Sequence, residues 1–243
     1  MNYLLLNVYL PIKQFFAGFI FDFIQKEFRT NGNVYTIPKE LTSRFFRGAF
    51  TLGWYEKQER EFIPKYLDKN ASVLELGGCI GVVSCVINGV LNERNKHVTV
   101  EANPFLIQHL EHNKERNHCG FHVENRIVAK AKTVTFNIQK SIVQGSANIE
   151  SAQKVEVEGI TPEELEKKYN LKFDTLIMDI EGGELQFFRD FQPFLKTLKS
   201  IYFEIHPFEN ILTLEEAEEC ESILKALGFQ KKLDEDYFQI WEK

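Results

Sequence analysis

The chain has 243 residues, 44% hydrophobic and 26% charged, with no Pro-, Ser- or Gln-rich tract; these proportions suit one folded α/β domain and exclude intrinsic disorder. A formal net charge of −6 without a long Lys/Arg block excludes a duplex-binding surface, so no nucleic acid is expected as a partner. The four cysteines, Cys79, Cys85, Cys119 and Cys220, form no CxxC pair, which points to free thiols and a cytoplasmic location.

From Met1 to Ile12 there is no charge, and the stretch to Ile24 is rich in Leu and Phe. Pro11, Lys13 and Asp22 interrupt it well short of the ~20 continuous apolar residues of a spanning helix. No basic leader or small-residue cleavage site accompanies it, so neither a spanning helix nor a signal peptide is expected. Over residues 14–29 the side chains of Phe15, Phe16, Phe19, Ile20, Phe23 and Ile24 share one helical face, the pattern of an amphipathic helix. This Phe15 to Ile24 stripe is expected to pack on the domain or on a second copy in a homodimer. Docking at a membrane surface, which would make the protein peripheral to a membrane, is the alternative. Asn31-Gly32 reads as a turn. The stretch to Pro64 reads as a short cap carrying Gly53-Trp54-Tyr55-Glu56 ahead of a helix, dividing the chain into a segment 1–64 and a domain 65–243.

After Asn70 short apolar runs alternate with helical patterns, the signature of βαβ units and a doubly wound, mostly parallel sheet. Strands are expected over 72–76, 97–101, 121–125, 173–179 and 200–206. Helices are expected over 80–91, 104–117, 184–198 and 214–227, with a closing strand over 237–241. Two further β-like runs, 133–138 and 154–158, flank a polar loop at 145–148 and suggest a hairpin inserted over the sheet edge.

The first strand runs into Gly77-Gly78-Cys79-Ile80-Gly81. Glycines at such a turn admit positive φ and close approach of a ligand, and the helix N-terminus beyond offers unpaired N–H donors. Twenty positions after Gly81, Glu101 ends the second strand ahead of Asn103-Pro104. A carboxylate there can accept both ribose hydroxyls of an adenosine. A dinucleotide and S-adenosylmethionine both satisfy this much. The spacing G-G-x-x-G, rather than G-x-G-x-x-G, and the carboxylate of Glu75 in the first strand favour S-adenosylmethionine, because a pyrophosphate would be repelled where a sulfonium and an ammonium are attracted. The cofactor set is therefore Glu75, Gly77, Gly78, Gly81, Glu101 and Asn103, with Ile127 or Val128 beside the adenine, and with Tyr55 and Glu56 closing over the methionine end.

The run Asp179-Ile180-Glu181-Gly182-Gly183-Glu184 resembles the D-x-E-G-x-E signature of the FkbM-type methyltransferases, which in that family follows the glycine turn and the acidic second strand in this order. Gly53-Trp54-Tyr55-Glu56, Asn113, Asn117 and Ile201-Tyr202-Phe203-Glu204-Ile205-His206 are similar too, so the resemblance spans about residues 53–206. It departs at Cys79 and Met178, where members often carry Asn and Lys, and any role for those two side chains is void. The resemblance implies a class I, Rossmann-like methyltransferase fold with a mixed, mostly parallel seven-stranded sheet, behind the N-terminal helical cap read above, and methyl transfer usually to a hydroxyl of a sugar, glycolipid or natural product.

Transfer from sulfonium to oxygen is mainly a matter of positioning and water exclusion, but an alcohol is a poor nucleophile that a nearby base should help. Asp179, Glu181, Glu204 and His206 fall at the carboxyl ends of the expected strands. Asp179 or His206 is the expected base and Glu181 the residue that orients a small-molecule or saccharide acceptor. No metal is expected. The competing readings are a methyltransferase-like scaffold without turnover and, on another chemistry, a nicotinamide-dependent oxidoreductase, which the glycine spacing disfavours.

Overall fold

The computed structural model describes residues 9–138, 153–180, 182–205 and 212–243. Glu181, His206 and the polar loop at 145–148 lie outside the described residues.

The chain enters through α1 (Leu10–Ile20) and a π-helical turn (Phe21–Gln25), followed by strands β1 (Glu27–Thr30) and β2 (Asn33–Thr36). Asn31 and Gly32 take φ of 49° and 78°, the consecutive positive values of a two-residue hairpin turn whose twist matches its strands. This hairpin shortens the helix expected over 14–29. Lys26 turns left-handed at φ 61°, and residues 27–30 pair antiparallel with β2 instead. Helices α2 (Arg44–Leu52) and α3 (Lys57–Tyr66) complete the cap, and the expected boundary at residue 64 falls inside α3.

The Phe stripe does not pack on the domain as expected. The buried side of the first helix is Ala17, Gly18 and Phe21, whereas Phe16, Phe23 and Ile24 are 62%, 68% and 77% exposed. The reason is backbone proximity. A Cβ on Gly18 would lie 2.1 Å from the Arg44 carbonyl oxygen, and one on Gly48 would lie 1.9 Å from that of Gln14, so α1 and α2 meet through their smallest residues. Asp22 locks the contact with bonds to Arg47 and Arg44; the Arg47 guanidinium holds its carboxyl down to a pKa of about 2.

The main body runs β3 (Val73–Leu76), α4 (Val82–Val90), β4 (His97–Val100), α5 (Ile107–Arg116) and β5 (His122–Glu124). It continues through β6 (Ile127–Val128), β7 (Thr133–Ile138), β8 (Gln153–Ile160), α6 (Pro162–Tyr169) and β9 (Thr175–Met178). It closes with α7 (Glu184–Asp190), α8 (Gln192–Thr197), β10 (Ser200–Glu204), α9 (Leu214–Ala226), β11 (Gln230–Glu235) and β12 (Phe238–Glu242). The seven-stranded sheet has the order β11-β12-β10-β9-β3-β4-β5. β5, β4, β3, β9 and β10 are mutually parallel, and β12 runs antiparallel between β10 and β11. β3 and β9 are buried along their length, as in a sheet covered on both faces, and the one carboxylate among them, Glu75, is paired with His97. From β3 the chain winds to one side and from β9 to the other, so the switch point lies between them. At such a point a doubly wound sheet opens a crevice at the carboxyl ends of its strands.

The two β-like runs do form a hairpin, β7 against β8; with β6 added parallel to β8 it makes a separate three-stranded sheet. The helix expected over 184–198 is two helices, because Phe191 leaves helical geometry and Pro193 opens α8, where its missing N–H is harmless. The cap shares its core with the main body. Phe21, Phe28, Tyr35 and Phe50 pack into one cluster with Ile80, Cys85, Leu110 and Phe121.

Candidate active site

A cavity of about 690 Å³ opens at the switch point. Its floor is the end of the sheet, with Leu76, Gly77, Val100, Glu101 and Asp179. One wall comes from the cap through Trp54, Tyr55, Glu56 and Glu59, and the opposite wall from Ile127, Val128, Val134 and Phe136. Gln186, Phe187 and Phe191 of the α7 region close a third side.

The glycine turn is shaped by backbone contact. Gly77 sits at φ +90°, and a Cβ there would lie 1.8 Å from the carbonyl oxygen of Asp179. Only glycine tolerates both conditions. The N–H groups of Gly77 and Gly78 donate to the carbonyl of Val100 at 2.9 and 3.3 Å, tying the turn to the neighbouring strand. Gly78 is pressed against Thr99 and Leu110, and Gly81, at φ +83°, against Leu110. Neither lines the cavity; both let α4 start close to the sheet. Glu75 also lies below the lining, buried, with Oε2 at 3.0 Å from Nε2 of His97.

Glu101 stands on the rim with its carboxylate oriented by two backbone donors, Cys79 N–H at 2.8 Å and Asn103 N–H at 2.6 Å, one to each oxygen. Each oxygen keeps a second lone pair for a ligand hydroxyl. Burial raises its pKa to about 7, the two backbone bonds opposing the shift and the charges of Glu75 and Asp179 adding to it. The side chain of Asn103 accepts from Phe105 N–H at 3.0 Å, a local turn bond that starts the following helix.

Beside this rim lies an acidic floor. Glu59, Asp179 and Glu204 each bring one carboxylate oxygen to within 4.8 Å of the others, and all three line the cavity together with Glu56. A hard cation could be held by such oxygens. Burial, reinforced by the charges of Asp179 and Glu59, raises Glu204 to a pKa of about 11, so at neutral pH it carries a proton. Burial pushes Glu56 well up too, with Glu59, Asp179 and Glu75 adding to it. Like charges crowded in a dry site cannot all ionise; the floor holds protons until a positive group replaces them.

The acidic turn after β9 is held by its own last residue. The buried carboxylate of Glu184 accepts from the N–H of Ile180 at 3.2 Å and of Gly182 at 2.8 Å, with Gly182 at φ 100°. Glu184 is thus the clasp of the turn that presents Asp179. Tyr55 serves two purposes. Its ring packs tilted against Phe50, centroids 4.4 Å apart, and its hydroxyl lies 3.4 Å from Sγ of Cys79, covering the glycine turn from the cap side.

Of the residues singled out in the sequence, Gly77, Glu101, Asn103, Ile127, Val128, Tyr55, Glu56 and Asp179 come together around the cavity. Glu59, with Arg126, Gln186 and Phe136, was not anticipated. Glu59 lies in the first turn of α3, three residues after Glu56, which precedes the helix in left-handed conformation at φ 45°; the closeness of the two carboxylates in the chain was the available signal. Asn113 and Asn117 also find a role away from the cavity. Asn113 exchanges bonds with the N–H and carbonyl of Thr36, and Asn117 with those of Val34, pairing the outer edge of β2 as a strand would.

A family model described as the methyltransferase FkbM domain matches residues 75–231. No curated protein sequence matches the chain. Among solved structures, a protein from Clostridium thermocellum named "putative rRNA-methylase" aligns with a TM-score of 0.51 at 8% identity, covering 78% of this chain and 94% of that one. A precorrin-6y C5,15-methyltransferase from Geobacter metallireducens gives 0.48 at 14% identity over 86% and 95%. An O-methyltransferase from Bacillus cereus in complex with SAH gives 0.44 at 13% over 78% and 80%. The likeness to the first of these shows the fold alone.

Proposed function

The chain belongs to the FkbM methyltransferase family, and from that premise we propose that it methylates a hydroxyl group of a sugar, glycolipid or other natural-product acceptor. The cofactor of the family is S-adenosylmethionine, which supplies an electrophilic methyl on a sulfonium. The residues present fit it. Gly77 brings bare backbone to the cavity wall, and Glu101 offers an oriented carboxylate to a vicinal diol. Ile127 and Val128 provide an apolar wall for a flat ring, and the acidic floor suits a positive centre.

The observation that carries the proposal is the carboxylate floor of Glu56, Glu59, Asp179 and Glu204 beside the glycine turn. In a low-dielectric cavity these groups are worth most to a cation. Asp179, whose backbone N–H is fixed by the carbonyl of Leu76 at 3.0 Å, would take the proton of the acceptor hydroxyl as the new C–O bond forms. Glu204, protonated at rest, would donate a hydrogen bond rather than compete for that proton. The cap wall of Trp54 and Tyr55 would exclude water. Glu181 and His206, at the carboxyl ends of strands in the sequence reading, complete the proposal as the residue that orients the acceptor and as an alternative base.

Incubation of the protein with methyl-labelled cofactor and a panel of hydroxylated acceptors tests the proposal. Label in an alkali-stable ether product supports it, with turnover in Asp179→Asn reduced on the order of a hundredfold, as for loss of a general base. Full turnover in both Asp179→Asn and His206→Ala would remove the base from the account. Cofactor binding without transfer to any acceptor favours a scaffold that has lost turnover.

A further inference from the structure

We propose that the outward face of α1 and its π-helical extension is a docking surface for an anionic lipid bilayer. This goes beyond the transfer reaction and does not depend on it.

The face is exposed by construction. The first helix meets α2 through Gly18 and Gly48, and Asp22 is bonded to Arg44 and Arg47, so the element is anchored without using its aromatic side. That side carries a continuous ladder, with Phe15 and Phe19 ring centroids 5.2 Å apart and Phe19 and Phe23 6.3 Å apart. Ile12, Phe16, Ile20 and Ile24 flank it in the exposed position. Monomeric proteins rarely present so contiguous an apolar surface without a use for it. Among the described residues no helix is long and apolar enough to cross a membrane, which leaves lying on one, the habit of short amphipathic helices.

Charge selects the occupant. Residues 9–52 contain six Lys/Arg against three Asp/Glu, in a chain whose net charge is −6. Internal pairing uses cations as well as acids: Asp22 holds Arg44, Arg47 and Lys39, Glu27 holds Arg29 and Arg116, and Glu40 lies 3.4 Å from His109. Among the described residues no ion pair holds Lys13 on α1 or Lys26 at the end of its extension, and Arg44, 40% exposed, lies over the ring of Phe19 at 4.1 Å. An aromatic face ringed by basic groups complements anionic headgroups above an acyl layer. A second copy fits less well, because a two-fold contact through this face would set the basic border against itself.

The test is sedimentation of the full chain with vesicles of phosphatidylcholine mixed with phosphatidylglycerol, and with vesicles of phosphatidylcholine alone. The wild type should partition onto the mixed vesicles, less so as salt rises, and more weakly onto the neutral ones. A triple variant, Phe16→Ser, Phe23→Ser and Ile24→Ser, should bind at least about tenfold more weakly, since it removes three exposed apolar side chains that would insert. Lys13→Glu with Lys26→Glu should cost about fivefold or more per site. All three Ser positions are solvent-exposed, so an unchanged thermal midpoint and unchanged affinity for S-adenosylhomocysteine would show that the fold is intact. Absence of binding by the wild type, equal binding by the triple variant, or a dimer that buries this face and ignores vesicles would overturn the proposal.

Discussion

At Gly77 one backbone position carries both an unusual conformation and a close approach from the next strand's end. Its φ of +90° and the 1.8 Å approach of the Asp179 carbonyl to a hypothetical Cβ predict that Gly77→Ala loses stability by at least about 2 kcal/mol, strain plus displacement of the next strand. A urea transition measures this directly. The acidic floor predicts a pH dependence whose sign follows from its raised pKa values. Glu101 at about 7 and Glu204 at about 11 both bind protons in the folded chain over a range where the unfolded chain has released them. Their contribution is therefore complete below the unfolded value of 4.5 and is lost as pH rises, through 7 for Glu101 and on toward 11 for Glu204. For Glu101 alone the loss is on the order of 3 kcal/mol. The thermal midpoint should fall between about pH 5 and pH 8, and Glu204→Gln should flatten the alkaline part of the decline. A cation in the floor reverses the balance by displacing protons. The preference for S-adenosylmethionine over its uncharged-sulfur product should accordingly grow with pH, which competition binding at two pH values would show.

Among the elements, those legible in the sequence are the ones whose interior pattern is strong. β3, β4, β9 and β10 read as apolar runs because both faces of the sheet are covered, and their expected ends lie within two residues of those observed. β11, Gln-Lys-Lys-Leu-Asp-Glu, could not be read this way: it is a polar edge strand, held by pairing to β12 rather than by burial. α6 carried its own signal, Thr161 and Glu164 in a capping box with Pro162 at the first turn, and the short apolar content of eight residues hid it. β1 and β2 were announced only by Asn31-Gly32, since tertiary partners supply the rest. Asn117→Ala should expose that dependence, leaving the Val34 N–H and carbonyl without their side-chain partner at a cost of about 1–3 kcal/mol; hydrogen exchange at Val34 would speed up correspondingly.

For the molecule as a whole, the sequence located the glycine turn, Glu101 and the acidic signature, because each depends on local backbone chemistry. It did not locate Glu59 or the walls from Phe136 and Phe187, because these reach the cavity from elements distant in the chain. The Phe stripe was visible as a face, but which side would be buried depended on the Gly18 and Gly48 contact, a meeting of two helices that no single periodicity records. The same contact bears on cooperativity. Phe21 is fully buried against Phe28 and Phe50, in a cluster continuous with α4 and α5. Phe21→Ala should therefore cost about 3–5 kcal/mol, and cap and sheet should unfold in one transition when followed separately by near-ultraviolet and far-ultraviolet dichroism.

The most direct measurement is calorimetric titration of the purified chain with S-adenosylhomocysteine, beside a Glu101→Ala variant checked for native dichroism. Saturable binding to one site, weakened in the variant by at least about tenfold, or 1.4 kcal/mol, is the expected result. A folded wild type that takes up no ligand, or a variant that binds as well as the wild type, would contradict the assignment of this cavity to the cofactor.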